Sequence, residues 1–340
     1  MGGLTDGLNA FVARLPKVEL HVHLVGSAPV ATVLELARRH PDSRVPRTEE
    51  KLREFYVFRD FPHFTEVYGM VIDLLTEPED IADLVRGIAR ELAAQNVRYA
   101  EIKTSSSFAR NGIPPAVITE ALDTAAADSL SEYGVRIAYI FEFPGEHADE
   151  RALPALDHAL TLGPKALVGF GVAGIEQRRA PHRDVIRNVF GAAAAAGLHC
   201  VPHAGEMTGP ETVWEAVDHL HAERIGHGIN SIGDRRLVAH LSERQLPLEV
   251  CPTSNVCTGQ FAALSEHPLP RMLEAGLNVT LNSDDPPMFG TTLSNEYLVA
   301  AQILGLSRSQ LAELAANAVH ASFLDEPAKE ELLADINRNI

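Results

Sequence analysis

Eight short runs rich in β-branched and apolar residues recur along the chain, most of them separated by stretches with helical periodicity. They are VELHVHL (18 to 24), VRYAEIKTS (97 to 105), VRIAYIFEF (135 to 143), ALVGFGVAG (166 to 174), LHCVPHAGE (198 to 206), RIGHGI (224 to 229), LPLEVCPTS (246 to 254) and LNVTLNSDD (277 to 285). Between them lie segments such as DIADLVRGIARELAAQ and PHRDVIRNVFGAAAAAG, the second ending in Gly197, where a helix C-cap belongs. Strands and helices alternating in that number predict an α/β fold, the (β/α)8 TIM barrel. Such a barrel absorbs 340 residues as one domain, so residues 1 to 340 are read as a single unit.

Two stretches exceed the simple alternation. From Leu24 to Val97 the chain is far longer than one crossover helix requires, and it carries the aromatic cluster Phe55, Tyr56, Phe58, Phe61 and Phe64. Extra helices inserted after the first strand are expected there, with the segment 41 to 64 either a lid over the strand ends or additional packing on the barrel. After Tyr297, RSQLAELAANAVHASF and AKEELLADINRNI predict C-terminal helices.

Composition narrows the partners. The chain has 29 basic and 46 acidic residues, a formal charge of −17, and no dense Lys/Arg tract. Nucleic acid and anionic membrane are therefore poor partners, and the acidity serves solubility. Cys200, Cys251 and Cys257 form no Cys-x-x-Cys pair, which argues against a disulfide framework or a thiolate zinc knuckle and fits a reducing cytoplasm. The start MGGLTDGLNAFVARLP lacks the basic region and apolar core of a signal peptide, and no apolar run approaches membrane-spanning length. A cytoplasmic location is expected, while none of these patterns fixes an oligomeric state.

The chemically useful residues fall at the C-terminal ends of the expected strands, where barrel enzymes build their sites. His21 and His23 close the first strand, His203 and Glu206 the fifth, His227 the sixth, and Asp284 with Asp285 the eighth. Positions i and i+2 of a strand point the same way, so His21 and His23 can share one ion. With 15 histidines, about one His-x-His pair is expected from composition alone. A second pair does occur, His219 and His221 in TVWEAVDHLHAER, which reads as a helix whose neighbours two apart diverge by roughly 200°; it is assigned to a solvated face. Burying so many polar groups without partners would be costly, so their coincidence at one barrel face points to a metal enzyme.

In PKVELHVHL, HAGE (203 to 206), RIGHG (224 to 228), CPTSN (251 to 255) and NSDDP (282 to 286), the chain resembles the adenosine deaminase family, a metal-dependent branch of the amidohydrolase barrels, from Pro16 to about Tyr297. The resemblance implies that His21, His23, His203 and Asp284 bind one Zn²⁺ per chain, a donor set that suits this ion. It makes Glu206 the proton carrier to purine N1, and His227 the group that holds the attacking oxygen and stabilises developing charge. Asp285 would meet purine N7 and must carry a proton to do so, because N7 only accepts. In an extended segment its side chain diverges from that of Asp284. Gly174 would offer its backbone N–H to purine N3.

One position departs from the pattern. Family members acting on adenosine usually carry an aspartate after HVHL, on the ribose 5′-hydroxyl, and adenine-acting relatives often carry glutamate; here it is Val25. Valine accepts no hydrogen bond, so an apolar or bulky 5′-substituent is better tolerated than a free hydroxyl. With RRHPDSRVP and FYVFRDFPHF, the chain looks most like the branch deaminating 5′-modified adenosines, aminodeoxyfutalosine of menaquinone synthesis among them, for whose carboxylate Arg59 or Arg110 is a candidate partner. The expected activity is hydrolytic deamination of a small-molecule 6-aminopurine nucleoside to its 6-oxo analogue plus ammonia. Adenosine or adenine deamination is the alternative within the family. A two-metal amidohydrolase would need a bridging lysine or glutamate at the end of a middle strand, whereas strand four ends in Ala173 and Gly174 and Lys165 stands at its wrong end. A non-catalytic barrel protein would have little use for both Glu206 and His227.

Overall fold

The computed structural model describes residues 2–339. Its strands are β1 (Lys17–His23), β2 (Val97–Thr104), β3 (Arg136–Pro144), β4 (Leu167–Ala173), β5 (His199–Cys200), β6 (His203–Ala204), β7 (Ile225–His227), β8 (Leu248–Val250) and β9 (Val279–Leu281). Every pairing is parallel, in the orders β1-β2-β3-β4-β5 and β6-β7-β8-β9. The expected fifth strand is thus divided. Pro202, between β5 and β6, has no N–H to donate to a ladder, although its carbonyl still accepts from Gly226 N at 2.9 Å. On the other side the ring closes through a parallel bridge of Val22 with Asp284, where His23 N donates to Asp284 O at 3.0 Å and Asp284 N to His21 O at 2.8 Å. The fold is the (β/α)8 barrel, with both faces of its strands covered. This is why Ile137 to Phe143 reads as a nearly continuous apolar run and is buried throughout.

The long interval after β1 holds four helices, α2 (Val30–Arg39), α3 (Glu49–Phe55), α4 (Phe61–Ile72) and α5 (Pro78–Ala94), following α1 (Gly2–Arg14) at the N-terminus. Asp60 caps α4 by accepting from His63 N at 2.8 Å, and Pro62 fits the first turn. The aromatic cluster packs on the segment that follows β9: Phe64 lies 5.2 Å from both Phe58 and Phe289, centroid to centroid. Gly197 follows the helix Arg183–Ala195 with a left-handed φ of 87°, as a C-terminal glycine should. The C-terminal helices Arg308–Ala321 and Glu326–Asn339 are present, and the first packs against β1 and β9. His219 ends the helix Pro210–His219, so His221 lies beyond it at φ 53° instead of on the same helix; both are exposed. Among the described residues no helix is long and apolar enough to cross a membrane.

Candidate active site

The C-terminal ends of the strands surround a cavity of about 510 Å³, within the range of small-molecule sites. His23, Val25, Gly174, His203, Glu206, His227, Asp284 and Asp285 all line it. His21 lies beneath, fully buried. α4 supplies one wall through Phe61, Phe64, Tyr68 and Ile72, so the inserted helices do border the site.

The imidazoles converge. His23 Nε2 lies 3.3 Å from His203 Nε2 and 3.2 Å from Asp284 Oδ1, while His21 Nε2 lies 3.5 Å from the same Oδ1. On their outer sides the rings meet carboxylates. His21 Nδ1 donates to Glu249 Oε2 at 2.7 Å, and Glu142 reaches to 3.4 Å from Nδ1 of both His23 and His203. A carboxylate on Nδ1 leaves the Nε2 lone pair free, the arrangement by which proteins orient metal-binding histidines. Ser254 donates to Asp284 Oδ2 at 2.6 Å, which turns Oδ1 toward the rings. His21 Nε2 is buried without a hydrogen-bond partner. An inward-facing orphan among three imidazoles and a carboxylate fits a bound cation, and His21, His23, His203 and Asp284 could hold it.

The local electrostatics divide the acids. Burial and the neighbouring Asp284 push the Glu206 carboxyl well above the usual carboxylate range, and the same two causes raise Asp285. Both shifts favour the protonated form, the form that a donor to a purine nitrogen needs. Asp284 is held well below its ordinary range; burial opposes this, but hydrogen bonds with His21 and His23 prevail.

His227 is oriented by a chain of donors that begins at an unambiguous one. Leu269 N–H donates to His267 Nδ1 at 3.2 Å, and burial pushes His267 down to about 3, so the ring is neutral with its proton on Nε2. That Nε2–H donates to Asn255 Oδ1 at 3.1 Å, and the Asn255 amide then presents its NH₂ to His227 Nδ1 at 3.2 Å. His227 Nδ1 must accept, so its proton sits on Nε2, which faces Glu206 Oε2 at 3.7 Å and Asp284 Oδ2 at 3.9 Å.

Some expectations need correction. Asp284 and Asp285 do not diverge because the segment is extended: Asp284 has φ 65°, in the left-handed region, and His227 has φ 60°. Arg59 does not line the cavity and instead contacts the His63 ring. Arg110 does line it, already bound to Asp73 Oδ1 at 2.6 Å and Gly69 O at 2.9 Å. A glutamate does end a middle strand, Glu142 on β3, but it backs the histidines alongside buried Lys103. The sequence reading also passed over Glu249, Arg224, Glu101, Asn255, His267 and Glu176. Several of these were visible as charges inside apolar strands, as in LPLEV and YAEIK, where only a buried network tolerates them.

The model of the adenosine deaminase family matches residues 16–339. An aminodeoxyfutalosine deaminase from Streptomyces coelicolor is 50% identical over 335 residues, covering 97% of this chain and 86% of that protein. The crystal structure of an adenine deaminase from Arthrobacter aurescens superposes with a TM-score of 0.90 at 33% identity, covering 95% of this chain and 98% of that one. An amidohydrolase from Burkholderia ambifaria, solved with bound Zn, gives 0.87 at 27% identity, over 97% and 93% of the two chains. Barrel, site and relatives together define a hydrolytic deaminase of the amidohydrolase type, with a cluster that fits a metal ion. Within that class, the chain belongs to the adenosine deaminase family.

Proposed function

We propose that the whole chain acts as one catalytic domain, a zinc-dependent deaminase of 6-aminopurine nucleosides whose 5′ position is substituted, with an aminodeoxyfutalosine-like substrate. The observation that carries this reading is the convergence of three imidazoles and the Asp284 carboxylate beside two buried acids, Glu206 and Asp285, in a cavity with an apolar Val25 wall. The name of the 50% identical relative supports the same substrate class.

His21, His23, His203 and Asp284 would hold one zinc ion, whose chemistry is to make water acidic enough to attack near neutral pH. Asp285, protonated, donates a hydrogen bond to purine N7, and the Gly174 N–H meets N3; together they fix the base. Gly174 has φ 87°, a left-handed conformation that strains any larger residue, and a Cβ there would also have to displace the Glu146 carboxylate, 2.2 Å away. Glu206 gives its proton to N1 as the water oxygen bonds to C6. The carboxylate then carries one of the water's protons to the departing amino group, which leaves as ammonia, and takes up the other as the C6 carbonyl forms, so Glu206 ends protonated. The Nε2–H of His227 steadies the charge on the incoming oxygen.

Ammonia release from a zinc-loaded preparation tests the reading, with Glu206→Gln and His21→Ala as controls. Glu206→Gln should keep its zinc and lose several orders of magnitude in kcat, whereas His21→Ala should lose metal and stability together. Full turnover in the first or full zinc content in the second contradicts the assignment.

A further inference from the structure

Glu176 hydrogen-bonds no side chain assigned a chemical role, yet it accepts five hydrogen bonds, one of them from the backbone of Glu206. It stands two residues beyond Gly174 and is 4% exposed. Its Oε1 accepts from Gly205 N at 2.7 Å and Thr212 Oγ1 at 2.6 Å. Its Oε2 accepts from Glu206 N at 3.2 Å, Met207 N at 2.8 Å and Thr208 N at 3.1 Å. Consecutive amides 205 to 208 therefore all point at one side chain. The opposite edge of the same loop is held too: Asn230 Nδ2 donates to Glu206 O at 3.0 Å and Thr208 O at 2.8 Å. Arg179 completes the frame by donating to His203 O at 2.7 Å and Gly174 O at 3.2 Å.

We infer that Glu176 is a positioning residue for the deamination, fixing the backbone of the loop that carries Glu206 so that its carboxyl meets purine N1. The inference rests on Glu206 being the proton carrier proposed above. Regular secondary structure does not hold the loop's amides, because it lies between the two-residue strand β6 and the first turn of a helix, and Gly205 bends it at φ 62°. A curl of successive N–H groups of this kind is an anion cradle, and here the anion is supplied from strand β4's own loop. The same side chain thereby ties Gly174, which meets N3, to Glu206, which meets N1. A displacement of about 1 Å at such a group costs about a hundredfold in rate.

Glu176→Gln keeps the size of the side chain but replaces one acceptor oxygen with an NH₂ that clashes electrostatically with the loop amides. The measurements are kcat per zinc-loaded chain, inhibition by the 6-oxo product, zinc content and melting temperature, with Glu206→Gln run alongside. Glu176→Gln should lower kcat per zinc by about tenfold or more while product inhibition and zinc content stay close to wild type. A purely structural role would lower the melting temperature and leave kcat per zinc unchanged. Thr212→Val, which removes one donor and leaves the carboxylate, should lower kcat by a smaller factor and serves if the first variant folds poorly. Wild-type kcat per zinc in both variants, with Glu206→Gln inactive, overturns the inference. Turnover by Glu206→Gln overturns instead the proton-carrier assignment on which it rests.

Discussion

The carboxyl of Asp285 rests directly on the bare α-carbon of Gly26: a Cβ at Gly26 would lie 1.5 Å from Asp285 Oδ1 and 2.3 Å from its Cγ. The glycine that follows Val25 thus makes room for the group assigned to purine N7. Gly26→Ala must displace Asp285, and a shift of that size at an orienting group costs about a hundredfold in kcat/KM. Zinc content should stay at the wild-type level, since Asp285 is not among the ligands. Steady-state kinetics with metal analysis checks both.

Glu249 joins the histidine cluster to the barrel interior. It accepts from His21 Nδ1 at 2.7 Å and Arg224 Nε at 2.7 Å and lies 3.2 Å from Lys103 Nζ, all of them buried. Glu249→Gln removes the partner that orients His21 and leaves two buried cations undercompensated. Zinc affinity, measured by competition with a chelator, should fall about 10- to 100-fold. Apo-protein stability should fall by about 3 kcal/mol in denaturant titration.

Val25 is 2% exposed and lines the cavity. Val25→Asp introduces an acceptor where a free 5′-hydroxyl would lie and a charge where an apolar 5′ group would lie. The ratio of kcat/KM for adenosine over 5′-methylthioadenosine should rise by about tenfold or more. An unchanged ratio would remove Val25 from the specificity argument.

Glu176 also predicts a pH dependence. Its burial opposes ionisation, but Arg179 and hydrogen bonds from Thr212, Thr208 and Met207 hold its carboxyl below the ordinary value of 4.5. A folded-state value below the unfolded one means that its stabilisation is complete above that ordinary value and disappears as pH falls through the depressed one. The difference in denaturation midpoint between wild type and Glu176→Gln should therefore be full at about pH 7 and shrink below about pH 4. A difference constant across that range contradicts the account.

Much of this was written in the one-dimensional pattern. His21, His23, His203, His227, Asp284 and Asp285 could be placed at strand ends because each ends an apolar run, and the barrel brings such ends together whatever the loops do. The break at Pro202, the left-handed φ of His227 and Asp284, and the end of the helix before His221 depend on local strain and closure that periodicity does not carry. The carboxylates behind the histidines were hidden for a different reason. Glu142, Glu249 and Glu101 each look like an isolated charge until β3, β8 and β2 are wound into one ring and face Lys103 and Arg224. Glu176 and His267 act only through backbone amides or a second side chain, relations that no spacing rule expresses.

The central claim is tested most directly by ammonia release from the zinc-loaded wild-type protein given adenosine, 5′-deoxyadenosine, 5′-methylthioadenosine and aminodeoxyfutalosine. The account predicts turnover with the highest kcat/KM on a 5′-substituted nucleoside and the lowest on adenosine. A strong preference for adenosine, or no ammonia from any of the four, would contradict it.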